Sequence, residues 1–247
     1  MSYRFIRFAR TAFLAGLAAI GLGSTAKADV VATFDGTNPF TFANTTAFGT
    51  TVNGMPVGVF NFTVSSSTDP RFSGTFQSFC ADYFQGVSAG TPYTYTPVAV
   101  SALPDIGADA TKLARIQELF DRFYATAQTN PDAAGAFQLA VWELTYDGAG
   151  ATGLTTGNFT ATGGANATIA ENWLSTIDDP NAAAPTDSYT LVGLYNSSAQ
   201  DQIAVVLSPV PAPAGVVLAL LGGVVMLARR RFTGKAKVEE TEAPVQA

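Results

Sequence analysis

The pattern of hydrophobic and polar positions changes period twice along the chain. In the first part it alternates. Asn61 and Thr63 alternate with Phe60, Phe62 and Val64, the two-residue period of a half-buried strand. Val-, Phe- and Thr-rich pieces at 30–34, 40–42, 58–64, 74–79 and 93–96 predict short strands, with Asn53-Gly54, Asp69-Pro70, Pro92 and Pro97 punctuating them. The period then lengthens. Leu113, Ile116, Leu119, Phe120, Phe123 and Tyr124 recur at spacings of three and four, which predicts an amphipathic helix over 109–127. Asn130-Pro131 restarts the chain: Asn130 suits an N-cap and Pro131 the first helical turn, where a missing N–H costs nothing. A second helix runs to about residue 146 and stops at Asp147-Gly148, with Phe137, Ala140, Val141 and Leu144 as its inward face. A third is expected around 169–177, led by Trp173 and Leu174. Strand pattern returns at 188–195 and 202–207. The fold class is therefore α+β: a β-rich framework with a helical insert of two to three helices.

Both ends carry different patterns. Arg4, Arg7 and Arg10 precede an apolar run over 11–23, and Ala26 and Ala28 supply the small residues of an A-x-A cleavage site. This predicts an N-terminal signal peptide over 1–28, cut before Asp29. Residues 214–228 are uncharged and apolar, and Arg229, Arg230 and Arg231 follow directly. As a helix this run is about 22 Å long, nearer 30 Å with its Pro-containing lead-in, which predicts a C-terminal transmembrane helix. The arginine cluster is the cytoplasmic flank of that helix by the positive-inside tendency. The acidic, Pro-containing tail over 232–247 reads as disordered and cytoplasmic.

Composition narrows the chemistry. Charged residues are 13% of the 247-residue chain, about half the usual ~25%. Between residues 29 and 209 stand four Lys and Arg against sixteen Asp and Glu. A surface of that sign repels phosphate backbones, so nucleic-acid binding is not expected. The chain has no histidine, which removes Ser-His-Asp and Cys-His catalysis and every His-ligated metal site. Its single cysteine excludes Cys-rich zinc and iron–sulfur sites. No cofactor is expected. A carboxylate-pair hydrolase has little support, because Asp178-Asp179 precedes Pro180 and reads as a loop.

A lone cysteine in an exported chain needs an explanation, since no intramolecular disulfide is possible. Cys80 lies in Ser78-Phe-Cys-Ala-Asp-Tyr83, and it is a buried inert thiol, an interchain partner, or bonded to something else. Gln138 is the one amide in the apolar segment 135–145. It is either a hydrogen-bonded core residue, a solvent-facing position beside the buried stripe, or a reactant. A thiolate held about 3–3.5 Å from a carboxamide carbon, with water excluded, would expel ammonia and leave a thioester. Phe79 and Tyr83 flank the cysteine; Phe137, Val141 and Trp142 surround the glutamine.

Two resemblances bear on these alternatives. The aromatic-Cys-x-Asp segment at Cys80, followed by Phe137-Gln-Leu-Ala-Val-Trp-Glu143, resembles the thioester domains of bacterial surface adhesins over about residues 75–175. The resemblance implies that Cys80 and Gln138 form the thioester; Asp82, Tyr83, Phe137, Trp142 and Glu143 are the nearest candidates for shaping the site. Val210-Pro-Ala-Pro-Ala214, the apolar run and Arg229–Arg231 resemble PEP-CTERM sorting signals of the VPLPA type, departing at Ala212 and in the length of the tail. That resemblance implies recognition of Val210, Pro211 and Pro213 by an exosortase-type processing enzyme.

The domain plan is then a signal peptide over 1–28, an exported thioester-like domain over 29–208, a sorting signal over 209–231 and a tail over 232–247. The expected function is covalent attachment to an amine or hydroxyl of a surface or matrix partner. This is single-use chemistry, not turnover by an enzyme. Export across the inner membrane would give a membrane-anchored precursor held through 214–228, then a cell-surface or extracellular protein. The competing expectation is a structural or interaction protein of the surface or biofilm matrix, with Cys80 inert.

Overall fold

The structure is a computed structural model and describes residues 28–150 and 153–206. The signal peptide up to residue 27, the sorting signal with Val210, Pro211, Pro213 and Arg229–Arg231, the membrane span and the tail all lie outside the described residues. Among the described residues no helix is long and apolar enough to cross a membrane.

The framework begins with two 18-residue strands, β1 (Val30–Ala47) and β2 (Thr50–Ser67), paired antiparallel as one long hairpin. Val30, Ala32 and Phe34 alternate inward as the sequence pattern requires. The separate pieces expected at 30–34 and 40–42 are thus one strand. The turn-forming residues between them do not end the strand. Register shifts between Phe34 and Gly36 and between Thr37 and Phe40 absorb the extra residues as bulges. Asn53-Gly54 is likewise no turn; it lies inside β2, where Gly54 N–H donates to Asn44 Oδ1 at 2.9 Å.

Five further strands follow among the described residues: β3 (Thr75–Cys80), β4 (Pro92–Val98), β5 (Phe159–Thr162), β6 (Thr190–Tyr195) and β7 (Gln202–Val206). Every pairing is antiparallel, in the order β2-β3-β7-β6-β4-β1-β5, and β1 also pairs with β2. Six strands therefore close into a ring, which removes the edges that an open sheet would expose. The four-residue β5, which the sequence pattern does not predict, adds to the far end of β1 through Asn44–Ala47.

Among the described residues three helices complete the α+β fold: α1 (Ala110–Ala127), α2 (Pro131–Tyr146) and α3 (Gly164–Ile177). Asp109 caps α1 through the Thr111 and Lys112 N–H groups, and Asn130 caps α2 through Ala133 N–H at 2.9 Å. α2 packs on β1 and β2 on one side and on α1 and α3 on the others. Its residues from Ala133 to Thr145 are all buried, so the helix has no solvent face, unlike the one-sided helix expected. Gly135 permits the approach: a methyl there would collide with Thr41 Cγ2 and sit 3.1 Å from Val57 Cγ2.

Candidate functional site

Cys80 is the last residue of β3, where the sheet leaves its backbone half-paired. On one side β7 continues, with Cys80 opposite Gln202 and Ala81 N–H donating to Asp201 O at 2.8 Å. On the other side the β2–β3 ladder ends at Phe60 opposite Ser78, two residues earlier. The Cys80 N–H and C=O on that side would be buried without partners, a costly arrangement. The carboxamide of Gln138 replaces the missing strand. Cys80 N–H donates to Gln138 Oε1 at 2.9 Å, and Gln138 Nε2 donates to Cys80 O at 2.8 Å. Both residues are fully buried. The structure thus brings Cys80 and Gln138 together, and the solvent-facing position for Gln138 is removed.

The chain turns immediately after Cys80, and the thiol donates to Asp82 O at 2.8 Å. Burial pushes the thiol pKa well up, because the thiolate would lose its hydration. The Trp142 indole, one helical turn from Gln138, lies by the sulfur and favours the thiolate. Its N–H makes no hydrogen bond of full geometry, although Trp142 is only 2% exposed. Tyr83 packs edge-on against Trp142 at 5.3 Å, and its hydroxyl pairs with Thr45 Oγ1 at 2.9 Å. Phe137 packs on Phe79 at 4.3 Å. Asp82 Oδ1 accepts the Phe84 and Gln85 N–H groups at 2.8 and 3.2 Å, which fixes the turn. Burial raises the Asp82 pKa.

Residues distant in sequence join this group. Asp201, just before β7, is pushed up to about 6 by burial and by the charges of Asp82 and Asp105. Tyr146 accepts Tyr83 N–H at 2.8 Å and donates to Asp105 Oδ2 at 2.9 Å. The buried Tyr95 hydroxyl makes no hydrogen bond among the described residues. Sequence reading misses Asp201, Tyr146, Asp105 and Tyr95: Tyr146 lies on α2 two turns beyond Gln138, where helical spacing could have found it and with it the Asp105 it holds, whereas Asp201 and Tyr95 arrive only through strand pairing.

Glu143 is not brought to the pair. It is fully buried, and the charged groups acting on it are Asp147, Glu171 and Arg115. Burial first, then Asp147, pushes its carboxyl up to about 8. Among the described residues no group of three His, Cys, Asp or Glu could hold a metal ion. A cleft of ≈ 280 Å³ reaches Tyr83 and Trp142 from outside, between Phe34, Met55, Phe60 and Gln85, and no ionisable side chain other than Tyr83 lines it.

No family model matches the chain, and no curated protein matches it. Among solved structures, the chain is similar to the N-terminal thioester domain of fibronectin-binding protein SfbI from Streptococcus pyogenes. The identity is 14%, the TM-score 0.40, and the alignment covers 72% of this chain and 98% of that one.

Proposed function

We propose that Cys80 and Gln138 form an internal thioester through which this domain attaches covalently to a partner. The observation that carries the reading is the two-way clamp of the Gln138 carboxamide onto the Cys80 peptide inside a fully buried core. The clamp holds the reacting groups on one residue pair, where proximity replaces most of the entropic barrier. Sulfur attacks Gln138 Cδ, the Cδ–Nε2 bond breaks, and ammonia leaves with the thiol proton. Negative charge develops on Oε1, which already accepts the Cys80 N–H, so that donor serves as a ready-made oxyanion partner. A neutral amine then attacks the thioester carbonyl. The C–S bond breaks, an amide remains on former Gln138, and the sulfur recovers a proton as the Cys80 thiol. The cleft at Tyr83 and Trp142 is the route for that amine.

The end sequences support a surface location. A signal peptide would export the chain, the span over 214–228 would anchor the precursor, and an exosortase-type enzyme would process it at Val210-Pro-Ala-Pro-Ala214.

A second reading has its own supporting observation. The Gln138 oxygen and nitrogen are both already hydrogen-bonded, and the thiol has an acceptor in Asp82 O. A non-reactive structural or interaction protein of the cell surface or biofilm matrix satisfies that geometry too. Methylamine separates the two. The thioester reading expects a methylamide at Gln138, located by peptide mapping and absent in Cys80→Ala. Protein that has never met a nucleophile, gains no methylamide and alkylates fully at Cys80 when unfolded would leave only the structural reading.

A further inference from the structure

Phe48 stands in the two-residue turn between β1 and β2 with φ +47°, in the left-handed region that bulky residues avoid. Gly49 follows at φ +80°, so the turn calls for Asn or Gly where Phe48 stands. The side chain is also 58% exposed, so folding gains little from it. Its ring instead meets Phe84 at 6.2 Å and Tyr146 at 5.6 Å, and Phe84, 54% exposed, meets Tyr146 at 6.1 Å. Three elements thus present one aromatic platform: the hairpin tip, the turn after Cys80 and the end of α2. The platform is tied to the reactive pair. Phe84 N–H is held by the Asp82 carboxylate, and Asp82 O accepts the Cys80 thiol. At its edge, Tyr146 holds the exposed Asp105 carboxylate.

We infer that the Phe48–Phe84–Tyr146 platform docks a basic, lysine-bearing polypeptide segment, presenting an amine to the neighbouring thioester; this rests on the covalent-attachment reading above. Charge selects the occupant. The described part of the chain carries four Lys and Arg against sixteen Asp and Glu. Arg71, Arg115 and Arg122 are engaged with Asp69, Asp178 and Glu118. A second copy of this chain, an anionic lipid surface and a nucleic acid all carry the repelled sign. A second basic side chain of the segment gains on both counts, lying over the ring faces with its charge near Asp105, while the reacting lysine meets the thioester as its neutral amine.

The test uses the full chain with Cys80→Ala, which cannot form a thioester and keeps the backbone groups that clamp Gln138. Binding of a lysine-rich peptide is compared with equal-length serine- and glutamate-substituted peptides and a neutral oligosaccharide. The lysine peptide is expected to bind best and to weaken with salt. Phe48→Gly and Phe84→Ser are each expected to weaken it roughly tenfold. Phe48→Gly should at the same time raise Tm by about 2–4 °C, since it relieves the backbone. Equal binding of the serine peptide or oligosaccharide, no binding of the lysine peptide, or binding indifferent to both substitutions would overturn the inference. None of these outcomes touches the thioester itself, which is read from the mass of the chain with Cys80 intact.

Discussion

An unpaired carboxamide at the depth of Gln138 would cost about 1–3 kcal/mol, and the half-paired end of β3 would cost as much again. Each defect cures the other, so Gln138 is fixed by need rather than by a tolerant surface. Trp142 and Glu143, next to each other in sequence, part company in space. Glu143 is five residues from Gln138, about 140° round the helix, whereas Trp142 is four residues away and on the same face. That distinction is legible in the sequence, and counting turns would have removed Glu143 from the site. Asp201 had no such signal, since the pairing of β7 with β3 brings it in. Glu143 also carries a pH prediction. Burial, with Asp147 next, pushes its carboxyl from the ordinary 4.5 up to about 8 in the folded state. The folded state therefore holds a proton that the unfolded state releases, and stability falls as pH rises from about 4.5 to about 8, by up to roughly 1.4 kcal/mol per pH unit. Asp201, raised to about 6, adds a contribution of the same sign below that value. Urea titrations at pH 5 and pH 8 should show the higher midpoint at pH 5, with the difference reduced in Glu143→Gln. A flat or rising profile would contradict the buried neutral carboxyl.

Among the elements, helices α1 and α2 were the most legible. Their apolar spacing and the Asn130-Pro131 start of α2 are local signals, and both run as expected to within a residue or two. The hairpin was less legible. Asp35-Gly36 and Asn38-Pro39 are turn residues by type, yet the partner strand holds them in bulges, and a partner is invisible to local pattern. α3 begins at Gly164, earlier than its apolar residues announce, because its first turn is polar and small. The burial of α2 on every side also depends on its neighbours. It makes Gly135 a contact point with the hairpin. Gly135→Ala gains helix propensity of up to about 1 kcal/mol, but the methyl drives against Thr41 and Val57. The collision should dominate, with a net loss of about 1–3 kcal/mol in chemical denaturation. A stabilised Gly135→Ala chain would show that α2 does not sit so close.

For the whole molecule, a closed antiparallel ring with one helix buried against it gives a rigid frame, and rigidity is what a strained acyl link between β3 and α2 would require. The ring itself was not legible, since β1 pairs with β2, β4 and β5 and no local pattern announces three partners. The charge balance is legible directly, at four Lys and Arg against sixteen Asp and Glu between residues 29 and 209. The ends carry their own prediction. Deleting 214–231 should move the domain from the cell envelope wholly into the medium; unchanged attachment would remove the sorting proposal. Covalent attachment depends on one bond between Cys80 and Gln138. Its most direct measurement is the intact mass of the exported domain, prepared without amines, thiols or alkaline steps. The expected mass is the sequence mass less one ammonia, restored to the full value in Cys80→Ala and Gln138→Ala after allowing for each substitution. An unmodified mass, with Cys80 quantitatively alkylated on unfolding, would contradict the thioester.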